Sequence, residues 1–266
     1  MSDPASAGLR PWPYPLWIAH RGAGKLAPEN TLAAFRLGAR HGYRAFECDV
    51  KLSADSVPFL LHDATLQRTT SGSGDAAQCR WDELARLDAG AWHSPAYAGE
   101  PLASLDDIAA YCIANGFALN IEIKPTPGAE LATGRAVASA VARLWAGRPV
   151  PPLLSSFSPD ALQAARDTDA RWPRALLLDR LPERWFGQAQ ALGCVAVVTD
   201  RALMNAGVIA RLHGAGMRAL VYTVNDAAEA QRLIGIGVDG IITDAVDRFG
   251  PDQAPSATAS RPSADD

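Results

Sequence analysis

Glu47 and Asp49 stand two residues apart inside the apolar run "RAFECDV", and Glu122 and Lys124 stand two apart in "NIEIK". A strand alternates its side chains between two faces, so each pair shares one face. Cys48, and Ile121 with Ile123, take the other. Charges embedded in apolar runs are costly unless something neutralises them. Three strand-end carboxylates, Glu47, Asp49 and Glu122, describe an all-oxygen site for a hard divalent cation, Mg²⁺ or Ca²⁺. The competing arrangement is a buried salt-bridge network in which Arg21 and Lys124 alone balance the acids.

Two histidines occupy equivalent places. His20 ends "LWIA" and is followed by Arg21, and His62 ends "VPFLL". Either alone is as well explained as a core or rim histidine. Together with the carboxylates they are two groups that titrate near neutrality, as acid/base work on two oxygens requires. His41, His93 and His213 fall at a helix end, in an irregular segment and before Gly214, with weaker claims. "GAGK" (22–25) fails the phosphate-loop pattern, since Leu follows Lys25 and Ala stands at 19. "SGSGD" (71–75) reads as a flexible turn, Asp244 in "GIITD" as a structural strand end, and Tyr222 and Trp92 as core or pocket aromatics.

The elements that must position these residues follow from periodicity. Nine short apolar runs, at 16–19, 44–50, 57–61, 117–123, 152–157, 174–178, 195–198, 218–223 and 240–243, alternate with segments of helical period. A parallel crossover needs about a dozen residues or more, yet only "KLSADS" separates the second run from the third, so those two form a hairpin. The other eight favour a closed α/β barrel of the (β/α)8 type over an open doubly wound sheet, a choice that pattern alone leaves open; in a barrel the strand C-terminal ends converge on the active site. Helix starts are marked by Asn30 or Thr31 after Pro28, by Ser104, by Ser158 before Pro159, and by Asn225 or Asp226. Residues 63–103 break the rhythm with one short amphipathic stretch near Trp81–Leu87. They read as an insertion after the third strand that caps the mouth, or else as a surface excursion.

At 266 residues with 48% hydrophobic content, one domain over 15–249 is expected. It is flanked by a flexible N-terminus (1–14) and a Pro/Ser/Ala/Asp-rich disordered tail (250–266). A net charge of −4 invites neither nucleic acid nor an anionic membrane, so an anionic substrate must be met locally. No run reaches membrane-span length, the N-terminus lacks the layout of a secretory signal, and four scattered cysteines suggest no disulfide framework. A cytoplasmic location is the expectation.

Taken in order, "AHRGAGKLAPENT", "FECDVKLSADSVPFLLHDATLQRTTSGSG", "LNIEIK", "LLSSF", "VYTVND" and "GVDGIITD" resemble the glycerophosphodiester phosphodiesterase family. The resemblance covers about Trp17 to Asp244, and "LDAGAWHSPAYAGEPLASLDD" is similar to the insertion of its bacterial cytoplasmic branch. It implies a TIM-type barrel that splits glycerophosphodiesters, such as glycerophosphocholine and glycerophosphoethanolamine, into sn-glycerol 3-phosphate and an alcohol with a divalent cation. It further implies His20 and His62 as the acid/base pair, Glu47, Asp49 and Glu122 as metal ligands, and Arg21 and Lys124 as phosphate contacts. Gly22 and Gly24 would let the backbone turn closely around the phosphate. The chain departs from the family pattern at Ser53, where Thr is usual, at Ser56, where Gly is common, and at Tyr222, where Trp is favoured. A lipid-cleaving barrel of related architecture and an inactive metal- or phosphate-binding barrel are the alternatives. The acidic balance and the intact set of site residues argue against them.

Overall fold

The structure, a computed structural model, describes residues 11–251. Eight parallel strands close a ring: β1 (Trp17–Ala19), β2 (Ala45–Leu52), β4 (Ala118–Ile123), β5 (Leu153–Ser156), β6 (Arg174–Leu178), β7 (Ala196–Asp200), β8 (Arg218–Tyr222) and β9 (Gly240–Thr243). β1 pairs in parallel with both β9 and β2, which closes the barrel. β3 (Pro58–Leu60) lies outside the ring and pairs antiparallel with the end of β2, as the short connection demands. That turn places Ser56 at φ +64°, the left-handed region where glycine is less strained. The Ser53 hydroxyl accepts from the Val57 N–H and donates to Asp55, so the departures at 53 and 56 still give a formed hairpin.

The helices begin where capping side chains satisfy free N–H groups. Thr31 caps α1 (Leu32–Arg40), and Ser104 with Asp107 forms a capping box on α3 (Leu105–Asn115). Ser158 caps α5 (Pro159–Thr168), Asn205 caps α7 (Ala206–Gly214), and Asp226 caps α8 (Ala227–Gly235). α2 (Trp81–Leu84) is a single turn within the insertion, and α4 (Glu130–Leu144) and α6 (Trp185–Ala191) complete the outer ring. The periodicity reading had named no starts for α4, α6 and α7.

Alternation along the strands divides the interior. Outward residues such as Phe46, Cys48, Ile121 and Ile123 pack under the helices. Inward residues Ile18, Ala45, Ala118, Leu153, Leu177, Val198, Leu220 and Ile242 fill the lower barrel. Trp12 and Tyr14 pack against that inner cluster, and the Tyr14 hydroxyl donates to the Pro151 carbonyl 3.0 Å away. The N-terminal segment is therefore already part of the barrel floor by residue 12. The rest of the expected N-terminus, 1–10, and of the tail, 252–266, lies outside the described residues.

The insertion builds a small core of its own from Leu66, Ala76, Leu84, Ala89 and Leu102 against Phe59 and Leu61. It clamps the β1–α1 loop and the start of α1: the Ala33 N–H donates to Glu100, His93 Nε2 meets the Lys25 carbonyl, and Arg68 reaches Glu29. None of residues 63–103 lines the central cavity described below.

Candidate active site

The parallel register sets the acidic residues side by side: Asp49 is level with Glu122, and Glu47 with Asn120. One oxygen from each of Glu47, Asp49 and Glu122 can be chosen so that all lie within 4.8 Å of one another, and all three residues are buried. Asp49 is the most heavily compensated. Lys124 Nζ donates to its Oδ1 (3.2 Å) and Asn30 Nδ2 to its Oδ2 (2.9 Å). Arg21 Nε lies 3.1 Å from Oδ2, an ion pair off the line of a hydrogen bond. Burial would raise the Asp49 carboxyl, but Arg21 and Lys124 hold it well below the usual carboxylate range.

Glu47 has the opposite fate. Its Oε2 accepts the Arg21 backbone N–H (3.1 Å) and lies 3.8 Å from His20 Nε2. Burial and the charge of Asp49 push its carboxyl up to about 8. Glu122 is also raised, by burial and Asp49, although Lys124 stands 3.2 Å away. Clustered hard oxygen donors whose ionisation is opposed only for want of positive charge fit a divalent cation such as Mg²⁺ or Ca²⁺.

Each histidine is held by a carboxylate. His20 Nδ1 donates to Asp244 Oδ1 (2.6 Å) and His62 Nδ1 to Asp63 Oδ1 (2.7 Å), an assignment set by the acceptor-only carboxylates. Both Nε2 atoms are thereby left for other partners. Burial depresses His20, but Asp244 and Glu47 more than offset it and hold the imidazole above its ordinary value. Burial, with Arg21 and Lys124, holds His62 below its own despite Asp49 and Asp63. Asp244 is itself fixed by Asn225, which donates to its side chain and accepts its backbone N–H.

Glu29 and Arg68 join the two halves of the site. Arg21 Nη1 donates to Glu29, and Arg68 grips both Glu29 and Asp63 at 2.6–3.0 Å. The chain from Arg21 to His62 thus runs through an insertion residue. Sequence reasoning missed Glu29, Asn30, Asp63, Arg68, Asn225 and Asp244 as site residues. Four left a local sign: Asp63 follows His62, Asp244 stands at a strand end, and Asn30 and Asn225 read as helix-cap candidates, although in the structure Asn30 spends its side chain on Asp49 and Asn225 on Asp244.

The glycine loop answers a packing demand. A Cβ on Gly24 (φ +57°) would overlap the backbone of Asp244, and one on Gly22 (φ +97°) would overlap α1 at Ala34 and Phe35. The close approach for which these glycines make room is to the protein's own chain.

His20, Arg21, Glu47, His62, Glu122 and Lys124 all line one cavity of about 220 Å³ at the C-terminal mouth, with Asp49 just behind them. Phe157 and Tyr222, in edge-to-face contact at 5.8 Å between centroids, form another wall. All seven residues picked from the strand ends therefore meet in one place. A larger cavity, about 410 Å³ beneath Trp12 and Tyr14, lies away from these residues.

A closed parallel barrel with its polar residues gathered at the strand C-termini is a TIM-barrel enzyme. Residues 20–248 match the model of the glycerophosphoryl diester phosphodiesterase family, and the chain belongs to that family. A glycerophosphodiester phosphodiesterase of Caldanaerobacter subterraneus subsp. tengcongensis is 31% identical over 236 residues, 86% of this chain and 93% of its own. An Oleispira antarctica phosphodiesterase, solved in complex with the product sn-glycerol-3-phosphate, aligns with a TM-score of 0.81 at 31% identity, covering 87% of this chain and 94% of that one. A glycerophosphodiester phosphodiesterase of Agrobacterium tumefaciens aligns with a TM-score of 0.74 at 28% identity, covering 87% and 96%. Proteins so named are phosphoric diester hydrolases. No helix among the described residues is long and apolar enough to cross a membrane.

Proposed function

We propose that this protein hydrolyses water-borne glycerophosphodiesters, among them glycerophosphocholine and glycerophosphoethanolamine, to sn-glycerol 3-phosphate and an alcohol. The observation that carries the reading is the placement of His20 and His62, each oriented by its own carboxylate, around one cavity with the acidic triad. Glu47, Asp49 and Glu122 would hold a divalent cation, which supplies Lewis-acid charge and a template for a phosphate oxygen.

Arg21 and Lys124 bind and orient the anionic diester, since both line the cavity and each carries more N–H donors than its two carboxylate partners take up. One imidazole takes the proton of the attacking oxygen at Nε2 as the new P–O bond forms. The other delivers a proton from Nε2 to the departing alkoxide as the old bond breaks, so protons and charge balance over the cycle. Asp244 and Asp63 keep both rings in the tautomer that exposes Nε2 and stabilise each imidazolium while it exists. Phe157 and Tyr222 supply an apolar wall for the alcohol group.

Release of glycerol 3-phosphate from the two diesters, assayed with Mg²⁺, Ca²⁺ or a chelator, tests the reading. Turnover is expected with a cation, with at least a hundredfold loss under chelation. His20→Ala or His62→Ala should abolish it while unfolding stays cooperative. Ordinary hydrolysis by either variant would refute the assignment.

A further inference from the structure

The cavity of about 410 Å³ beneath Trp12 and Tyr14 lies at the other end of the barrel from the catalytic mouth. Arg174 opens β6, Arg218 opens β8, and Trp12 and Tyr14 belong to the segment leading into β1, so its walls are strand N-terminal ends. Catalytic groups of such barrels come from the opposite ends, and no residue is shared between this cavity and the catalytic one. Its volume suits a small organic molecule. Three aromatic side chains, Trp12, Tyr14 and Trp172, give it flat apolar faces.

The charged groups around it have one sign. Arg171, Arg174 and Arg218 line the cavity and no carboxylate does, in a chain whose net charge is −4. Asp169 holds Arg171 at 2.7 Å and Asp239 holds Arg218 at 2.8 Å, but neither acid is a wall residue. Arg174 is buried and meets only the backbone carbonyls of Ala170, Trp172, Leu192 and Gly193; no carboxylate among the described residues pairs with it. A buried cation without a counter-ion is costly, and a ligand that brings one relieves it. Arg171 lies 5.6 Å over the Trp172 ring and Arg218 5.8 Å over that of Trp12, so charge and ring face are presented together. Trp12 Nε1 is buried with no partner among the described residues. Guanidinium and indole N–H groups donate and cannot accept.

This set of groups selects among anions. Inorganic phosphate would meet the guanidiniums and leave the rings and the Trp12 N–H unmet. A fatty acid would bring a carboxylate, but its chain offers no acceptor to the indole. A flat heterocycle carrying a phosphate satisfies all three demands: the phosphate matches the guanidinium fork, the ring stacks on an aromatic face, and ring nitrogens accept. We propose that the floor of the barrel is a second binding site, which takes a flat, acceptor-bearing organic anion of the nucleoside monophosphate class. The site goes beyond the hydrolysis proposed above and does not depend on it.

The test is calorimetric binding of adenosine 5′-monophosphate to the full chain, beside adenosine, inorganic phosphate and octanoate. The monophosphate should bind at least about tenfold more tightly than each of the other three. Saturating sn-glycerol 3-phosphate with Mg²⁺ should leave that affinity unchanged, because the catalytic cavity is a separate place. Arg171→Ala removes a guanidinium that is 78% exposed, and Trp12→Phe keeps a ring while deleting the unpartnered N–H. Each should weaken the monophosphate by roughly tenfold and leave glycerophosphocholine turnover and Tm as they are in the wild-type chain. Failure of the monophosphate to bind, octanoate binding as tightly, displacement by glycerol 3-phosphate, or wild-type affinity in either variant would overturn the proposal. Loss of turnover in His20→Ala with this binding intact would show the two sites to be independent.

Discussion

Asp49 and Glu47, two residues apart on one strand face, should respond oppositely to loss of charge in cation-free protein. Asp49 is fully buried and meets Lys124 at 3.2 Å, Arg21 at 3.1 Å and Asn30 at 2.9 Å. Asp49→Asn keeps the shape but leaves two partly buried cations, Arg21 and Lys124, short of their counter-ion, where breaking a fully buried pair costs ~3–5 kcal/mol. Arg21 retains Glu29 and Lys124 retains Glu122, which points to the lower end. At ~2–4 °C per kcal/mol for a chain of this size, a fall in Tm of about 6–12 °C follows. Glu47, pushed up to about 8 by burial and Asp49, is largely protonated at pH 7 without a cation, so Glu47→Gln removes little charge and should cost under ~1 kcal/mol. Between its ordinary 4.5 and about 8, the folded chain keeps a proton that the unfolded chain has released. Wild-type stability therefore falls as pH rises through that window, by up to ~1.4 kcal/mol per unit, and Glu47→Gln flattens the slope. Urea unfolding in EDTA from pH 5.5 to 8 measures both effects. If Glu47→Gln destabilises the chain as much as Asp49→Asn at pH 7, or leaves the pH slope unchanged, the electrostatic account of the triad is wrong.

Because Glu47 must lose that proton to ligate, Mg²⁺ affinity measured by calorimetry should rise with pH up to about 8, by as much as ~10-fold per unit, with proton release on binding. A pH-independent affinity would remove Glu47 from the ligand set. Arg68→Ala should lower kcat about tenfold by freeing Glu29 and Asp63, yet cost only ~1 kcal/mol or less of stability, since the Arg68 side chain is 43% exposed. Arg68→Lys should rescue poorly, because an ammonium cannot reproduce the two-sided guanidinium grip; unchanged kcat in both variants would show that the insertion does not position the site. Gly24→Ala, at φ +57° against the Asp244 backbone, should cost ~2 kcal/mol or more and disturb the Asp244–His20 contact, read as a joint loss of Tm and turnover. A stable, active variant would contradict the packing role given to that glycine.

Four of the seven candidate site residues were legible because strand alternation is local, and His20, Arg21 and His62 because each stands where an apolar run ends. Period two puts Glu47 with Asp49, and Glu122 with Lys124, on one face whatever the rest of the chain does. The hairpin at β3 was legible for a similar reason, since six residues are too few for a parallel crossover. The caps at Ser104 and Ser158 were read from side-chain chemistry that acts within one helical turn. Asn30 and Thr31 could not be told apart as caps, because the choice depended on Asp49, a strand away. The starts of α4 and α6 carried no capping signal: neither Ala129 nor Arg184 makes a side-chain cap bond.

Composition and period thus determined the strand-end chemistry, the repeating βα units and the acidic triad, while the pairing of β1 with both β2 and β9 decided closed barrel against open sheet. Tertiary structure alone decided which of these groups is charged and which way each points. His20 finds its carboxylate 224 residues away because ring closure sets β9 beside β1. Arg21 connects to His62 only because the insertion folds back to present Arg68. Asn120 reads along the chain as a polar residue beside Glu122 in an otherwise apolar strand, and only the closed barrel buries it against the cavity with no partner in the protein. Alternation fixes the face a side chain takes, but its partners depend on contacts that close over long stretches of chain and leave no local periodicity.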